Sequence, residues 1–149
     1  MLTPCNKQVT LPDNIYQILT DYYNDDYDLQ FTTIDEQFTT IGATNSIVVP
    51  SEVHQFGRVQ ISAEVFGSVM SPQYKKNANV LTYFIQNNET IDLFPGQVQY
   101  YLEHTIRILG ELKTHRLAFI KWYIPAPNQQ IRFYTSFDSK EKSSNIKFW

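Results

Sequence analysis

Hydrophobic and polar residues alternate with a period of two over much of the second half of the chain. The clearest run covers residues 97–108, in which one face carries Val98, Tyr100, Leu102, His104, Ile106 and Ile108. A period of two places successive side chains on opposite faces of an extended strand. Gly110 then occupies a turn, and the alternation resumes at His115, Leu117, Phe119, Lys121 and Tyr123. We therefore predict a β-hairpin that ends at Pro125.

Shorter runs of the same kind predict further strands. We expect strands at Ile47–Val49, at Val80–Gln86 in a central position, and over residues 131–137 and 145–149. Residues 56–66 read as one half-buried strand with Val59, Ile61, Ala63 and Val65 on the same face. A polar loop with an exposed tip is expected between residues 67 and 79, and a turn at residues 87–89. Six or seven short strands of this kind favour a curled antiparallel sheet or a small, partly open β-barrel.

One segment near the N-terminus has a helical period instead. Pro12 suits the first turn of a helix, and the Asp13 carboxylate suits its positive end. The apolar stripe that follows consists of Ile15, Ile18, Leu19, Tyr22 and Tyr23. We predict a helix over about residues 12–24, followed to Asn45 by a loop with a short extended piece. The fold class is therefore mainly β (α+β), with this helix packed on the sheet.

Length and charge divide the chain unevenly. The 149 residues fit a single domain, and the net charge is −3. Residues 1–50 contain one base, Lys7, against seven acids, whereas residues 51–149 carry more bases than acids. We predict one domain over residues 1–149, made of an acidic leader (1–50) and a β-rich body (51–149). Such a body can bind polyanions or fold the leader over its own basic face.

Cysteine usage and hydropathy bear on the compartment. The chain has one cysteine, Cys5, in an end that we expect to be flexible, so an intrachain disulfide cannot form. No segment has the pattern of a signal peptide, and no apolar run approaches the length that crosses a bilayer. We expect a nuclear or cytoplasmic protein without a membrane partner.

Catalytic and metal chemistry have little support in the sequence. His54, His104 and His115 do not have the spacing of metal ligands, so we expect neither a metal nor a cofactor. His104 and His115 fit better as core histidines bonded to backbone or to a carboxylate such as Glu103, and a cross-strand pair of the two remains open. Ser68 lies outside any nucleophile motif. We therefore expect no enzyme and no catalytic residues, with a hydrolase-like enzyme as the least favoured alternative.

Two sets of residues are candidates for binding. Aromatic rings on neighbouring strands can enclose a methylated ammonium group through cation–π attraction, and the candidates are Tyr100, Tyr101, Trp122 and Tyr123. Core packing is the favoured explanation of these four residues. Tyr101 and Trp122 are out of phase with the apolar face, so we expect them to be exposed. Bases could instead bind nucleic acid phosphates, and the candidates are Arg58, Lys75, Lys76, Arg107, Arg116 and Arg132.

Five segments of the chain carry a resemblance to a known family, and they are Phe56-Gly57-Arg58, residues 64–68, Pro95–Tyr101, Glu103-His104-Thr105 and Thr114–Tyr123. These segments resemble a domain that accompanies transposon-derived reading frames in fungal genomes and is similar to bromo-adjacent homology (BAH) β-barrels. The resemblance implies a non-enzymatic, chromatin-type or transposon-associated interaction module that binds a protein or chromatin partner. The alternative is a nucleic-acid-binding β-barrel module. Pairing of an exposed strand edge with a second copy would give a homo-oligomer.

Overall fold

The computed structural model describes residues 2–39, 45–85, 89–124 and 134–135. The two α-helices are α1 (Asp13–Asp26) and α2 (Ile34–Thr39), and a 3-10 helix covers Pro72–Ala78. The strands are β1 (Leu2–Thr10), β2 (Phe31–Thr32), β3 (Ile47–Val48), β4 (Glu52–Ile61), β5 (Glu64–Phe66), β6 (Asn79–Ile85), β7 (Ile91–Ile108), β8 (Glu111–Ile124) and β9 (Tyr134–Thr135). The predicted fold class, mainly β with an N-terminal helix, is confirmed.

Seven strands form one sheet in the order β1-β4-β7-β8-β9, with β5 paired to β4 and β6 paired to β7. The pairings β4–β5, β6–β7 and β8–β9 are antiparallel. Strands β2 and β3 form a separate, parallel pair. Among the described strands, no pairing joins β1 to β9, so closure into a barrel stays a prediction.

Contacts divide the chain into two compact units. The helix unit contains the described residues of Asn6–Gln55 and Leu102–Leu117. The sheet unit contains those of Met1–Cys5, Phe56–Tyr101 and Ala118–Asp138. Because Leu11, Leu19, Val53, Leu102 and Ile106 are buried in the first and Phe56, Val59, Val98 and Phe119 in the second, each unit has an apolar core.

Helix α1 supplies much of the core of the helix unit. It begins after Pro12, whose carbonyl accepts hydrogen bonds from the backbone N–H groups of Ile15 and Tyr16. The predicted stripe is buried except for Ile18, which is half-buried, and Tyr16 and Thr20 are buried with it. Asn24 joins the helix to β2, because its amide accepts a bond from the Phe31 N–H at 2.8 Å and donates to the Phe31 carbonyl at 3.2 Å.

The stretch after α1 contains a helix that the sequence analysis missed. Helix α2 begins with a capping box: the Glu36 N–H donates to the Thr33 hydroxyl, and the Thr33 N–H donates to the Glu36 carboxylate. The Thr-x-x-Glu spacing is the sequence signal of this helix start. The helix has no apolar period beside it, because none of its residues is buried. The short extended pieces at β2 and β3 agree with the prediction.

The hairpin of β7 and β8 is confirmed. In the helix unit, Leu102, His104, Ile106 and Ile108 are buried, while Thr105 and Arg107 between them are exposed. The two strands are joined by Leu109 and Gly110 alone, and both residues have positive φ, at 50° and 84°. Two positive φ values in a two-residue loop match the right-handed twist of the strands, and a glycine at the second position meets that demand.

The single strand predicted over residues 56–66 is wrong. Strand β4 ends at Ile61, a turn follows at Ser62 and Ala63, and β5 pairs back on β4 with Val59 opposite Phe66. Ser62 adopts a φ of 56°, which allows the reversal without glycine. Beyond Val59 the predicted apolar face is therefore lost, and Ile61 is 43% exposed.

Two other strand predictions need correction. The N-terminal end that was expected to be flexible forms β1, which contains the position of Cys5. Among the described strands β6 pairs with β7 alone, so the central position predicted for it is not found there. The loop before it is largely the 3-10 helix, with Lys75 and Lys76 exposed as expected. Most of the turn predicted at 87–89, most of the strand predicted at 131–137 and all of 145–149 lie outside the described residues.

We predict that Leu109→Asn stabilises the protein. Leu109 has a φ of 50° and an 80% exposed side chain, so it bears the cost of left-handed backbone and makes little apolar contact. Asparagine tolerates this conformation, so we expect the free energy of unfolding to rise by about 1 kcal/mol. Urea denaturation measures the change. Gly110→Ala should lower stability in the same assay, and a loss of stability in Leu109→Asn would contradict the assignment of the turn.

Candidate functional site

The helix unit contains a buried cluster of two tyrosines and two histidines around the Tyr23 hydroxyl. This oxygen lies 2.7 Å from Nδ1 of His104 and 3.1 Å from Nδ1 of His115. Nε2 of His104 lies 2.9 Å from the Pro50 carbonyl oxygen, and Nε2 of His115 lies 2.7 Å from the Tyr27 hydroxyl. The cross-strand pair of histidines is thus present, and Tyr23 of α1 joins the two rings.

The partners fix the position of every proton in this cluster. A carbonyl can only accept, so Nε2 of His104 carries hydrogen and its Nδ1 must accept from the Tyr23 hydroxyl. The Tyr23 hydroxyl has one proton, which it donates to His104, so towards His115 it can only accept. Nδ1–H of His115 therefore donates to the Tyr23 oxygen. Nε2 of His115 therefore accepts from the Tyr27 hydroxyl. The result is a one-directional hydrogen-bond chain of neutral groups, Tyr27 to His115 to Tyr23 to His104 to Pro50.

Burial keeps the chain neutral. His104 and Tyr23 are fully buried, whereas His115 and Tyr27 are half-buried. Desolvation lowers the pKa of His104 to about 4, although the Pro50 carbonyl acts in the opposite direction. Desolvation also lowers the pKa of His115, with Asp26 opposing and Lys113 assisting. Desolvation raises the pKa of Tyr23. Both histidines are therefore neutral near pH 7.

Aromatic packing surrounds the hydrogen-bond chain. The Tyr23 ring lies within 5.5 Å, centroid to centroid, of the rings of Tyr22, Phe31, His104 and His115. Nζ of Lys113 lies 5.4 Å from the centroid of the Tyr27 ring, which is within range of a cation–π contact. All four imidazole nitrogens have a partner inside the cluster, so its immediate role is to hold α1 and the segment at Pro50 against the hairpin.

Not all of the predicted aromatic binding residues have the exposure that the alternation of the strands predicted. Tyr101 is 5% exposed, and its hydroxyl donates to the Gly67 carbonyl at 3.3 Å, so the prediction that it is exposed is wrong. Burial raises the pKa of Tyr101 to about 12. The reason is local: the Val69 N–H donates to the Val98 carbonyl and the Met70 N–H to the Gln99 carbonyl, so the segment after β5 runs beside β7 and brings the Gly67 carbonyl to the Tyr101 hydroxyl.

The other three aromatics also make contacts within the sheet unit. The Tyr100 ring stacks on Phe119 at 5.2 Å between centroids. The Trp122 ring lies against Gly96, where an added Cβ would come within 2.6 Å of Cε3. Trp122 and Tyr123 are half-buried, and Tyr123 pairs in register with Thr135 of β9. A cage for a methylated ammonium built from Tyr100, Tyr101, Trp122 and Tyr123 stays a prediction.

The basic candidates divide between the two units. In the sheet unit, the Arg58 guanidinium lies 5.1 Å from the centroid of the Tyr74 ring, and Lys75 and Lys76 are exposed nearby in sequence. In the helix unit, Arg107 donates to the Gly110 carbonyl, and Arg116 forms a 3.1 Å ion pair with Glu103. Arg132 lies outside the described residues. Nucleic acid binding by these six residues stays a prediction.

A surface that the sequence analysis missed lies on the hairpin of β6 and β7 in the sheet unit. Four large apolar side chains, here called the hairpin patch, are exposed: Leu81 59%, Tyr83 68%, Ile91 64% and Leu93 50%. Tyr83 pairs directly with Leu93, Leu81 with Pro95 and Ile85 with Ile91, so the four lie on one face of the hairpin. Residues 80–86 have apolar side chains on both faces of the strand, which is typical of a central strand. For that reason the sequence did not indicate that this surface is exposed.

Comparison with known proteins gives no match to a family model, a curated protein or a solved structure. The resemblance to a transposon-associated, BAH-like domain therefore stays a prediction. Within the described residues, no helix is long and apolar enough to cross a membrane. The described His, Cys, Asp and Glu side chains also form no group of three or more that could hold a metal ion.

We predict that Tyr23→Phe destabilises the protein far more than Tyr27→Phe. Loss of the Tyr23 hydroxyl leaves Nδ1 of His104 without a donor and Nδ1–H of His115 without an acceptor, and the fully buried atom of His104 alone costs roughly 1–3 kcal/mol. Loss of the Tyr27 hydroxyl leaves only Nε2 of the half-buried His115 without its partner, so water can replace it and we expect a cost below about 1 kcal/mol. Urea denaturation of the two matched variants measures the difference.

Nitrogen-15 NMR of the wild-type imidazoles tests the same chain independently. Nε2–H on His104 and Nδ1–H on His115 are expected near neutral pH. The opposite tautomers, or equal costs for the two phenylalanine variants, would contradict the proton order given above.

We predict that stability falls as the pH drops from about 6.5 to about 4. The folded pKa of His104 lies below its unfolded value, so the unfolded chain binds more protons in this window, and stability present above pH 6.5 is lost at up to roughly 1.4 kcal/mol per pH unit. The lowered pKa of His115 acts in the same direction. Denaturation of wild type at a series of pH values measures the slope.

Substitution of the cluster histidines tests whether they cause this dependence of stability on pH. His104→Gln or the milder His115→Gln should flatten the dependence of stability on pH. A slope that survives both cluster variants would place its origin in other residues.

Proposed function

We propose that this chain is a non-enzymatic protein-interaction module that binds a partner protein through the hairpin patch. The observation that carries the proposal is the exposure of four large apolar side chains, each 50% or more exposed, on one face of a two-stranded hairpin. Contiguous exposed apolar surface is uncommon on soluble monomers and marks interaction sites. The chemistry of the patch, aliphatic with one tyrosine, suits an apolar protein surface better than a polyanion.

The imidazole cluster supports a structural rather than a catalytic role for the histidines. Each ring nitrogen of His104 and His115 has a partner in the hydrogen-bond chain, and His104 is fully buried. Ser68, which is also fully buried, donates to the Gly57 carbonyl at 2.6 Å. Ser68, His104 and His115 therefore already form hydrogen bonds that hold the fold together. A chromatin partner, as the resemblance implies, falls within this proposal.

Photo-crosslinking tests the proposal with a matched control. Tyr83 is replaced by the photoreactive analogue p-benzoylphenylalanine, and Leu112, which is 65% exposed and belongs to the helix unit, receives the same group. We expect a discrete cross-linked protein from position 83 and none from position 112. The product is identified by mass spectrometry and purified, and its affinity is then measured for wild type and for Tyr83→Ser, which we expect to weaken binding about tenfold.

Two results would contradict the proposal. One is the lack of a discrete product at position 83. The other is binding to a single-stranded oligonucleotide that falls steeply with salt and is lost in Lys75→Ala/Lys76→Ala while Tyr83→Ser binds normally, because this pattern identifies phosphates as the ligand.

A further inference from the structure

Strand β6, at the side of the hairpin patch, has the properties of a strand that pairs with another chain. Among the described strands it pairs with β7 alone, so no described strand pairs with the backbone N–H and C=O groups of its other edge. Its seven residues, Asn79–Ile85, include no charged residue, no proline and no glycine. Natural edge strands usually carry charges, prolines or bulges that prevent pairing with another copy. Strand β6 has none of these residues.

We propose that the partner at this site is a second copy of the chain, joined by antiparallel pairing of β6 with β6 across a twofold axis. This inference rests on the proposed function and names its partner. An uncharged strand offers no complementary charge to a charged partner, whereas it pairs with itself without repulsion. Uncharged segments of about this length with high β-propensity are also the ones that associate with their own copies.

The sequence of β6 selects the register of the pair. Pairing centred on Thr82 is the register in which all seven residues find a partner, with Thr82 opposite its own copy and Leu81 opposite Tyr83 of the other chain. Leu81 and Tyr83 are 59% and 68% exposed, so each gains an apolar cross-strand neighbour. A shift by one residue would place Leu81 and Tyr83 of the two copies on opposite faces of the joined sheet, so the two hairpin patches would no longer adjoin.

Sedimentation equilibrium of the full chain over a concentration series tests the association. We expect a reversible dimer in wild type and a dimer dissociation constant raised about tenfold or more in Tyr83→Lys, which sets a charge against Leu81 of the other copy. Leu112→Lys is the matched control and should dimerise as wild type does. Thermal unfolding checks that Tyr83→Lys remains folded, as its exposure predicts. A wild-type monomer, or a dimer unaffected by Tyr83→Lys, overturns the inference.

Disulfide trapping tests the register. In a Cys5→Ser background, Thr82→Cys should form an intermolecular disulfide rapidly under mild oxidation, because only position 82 meets its own copy. Thr114→Cys, at an exposed threonine of β8 in the helix unit, should cross-link slowly. Equal rates at the two positions overturn the proposed pairing.

The two proposals fail in different ways. If position 83 cross-links to a different protein and wild type is monomeric, the interaction module stands and the second copy is wrong. If position 83 gives no product and wild type is monomeric, both are wrong.

Discussion

The helix unit depends on one hydroxyl group. The Tyr23 oxygen joins two histidines of the β7–β8 hairpin to helix α1, and His104 continues the chain to the backbone at Pro50. Because Tyr23 and His104 are fully buried, any break leaves polar atoms without water, which is more costly than the loss of a surface bond. The same burial sets the protonation states, since a charged imidazole inside this cluster would have no counter-charge in direct contact.

The sheet unit relies on close backbone approach rather than on a polar cluster. Gly67 lies against the backbone of Tyr74 so closely that a Cβ could not be accommodated, and the segment that follows covers β7 and buries Tyr101. Gly96 likewise leaves room for the Trp122 ring. Tyr101, which was predicted to be exposed, is used in packing, while Leu81 and Tyr83, which lie on a strand predicted to be central, are exposed.

The periodicity of the sequence predicted the elements that have a strong local pattern. The helix over Pro12–Asn24 and the β7–β8 hairpin have strong local signals, and both are present, with α1 ending two residues later than expected. The break at Ser62 was missed because the turn has no glycine or asparagine, and α2 was missed because it buries nothing.

The candidate site could be predicted only in part. The predicted hairpin already places His104 and His115 on adjacent strands, but the hydrogen bonds of both to Tyr23 depend on tertiary packing. The exposure of Leu81 and Tyr83 depends on what packs against that face of β6, which composition does not encode.

The distances along the sequence that Tyr23 spans bear on the order of folding. Its bonds to His104 and His115 join residues 81 and 92 positions apart, whereas the β7–β8 hairpin closes through a two-residue turn. Long loops close at a greater entropic cost and later than local contacts. During synthesis, helix α1 leaves the ribosome well before either histidine, so its tyrosine face stays undocked until the hairpin has been translated, and the N-terminal third of the chain is the part most in need of protection from aggregation or proteolysis in that interval.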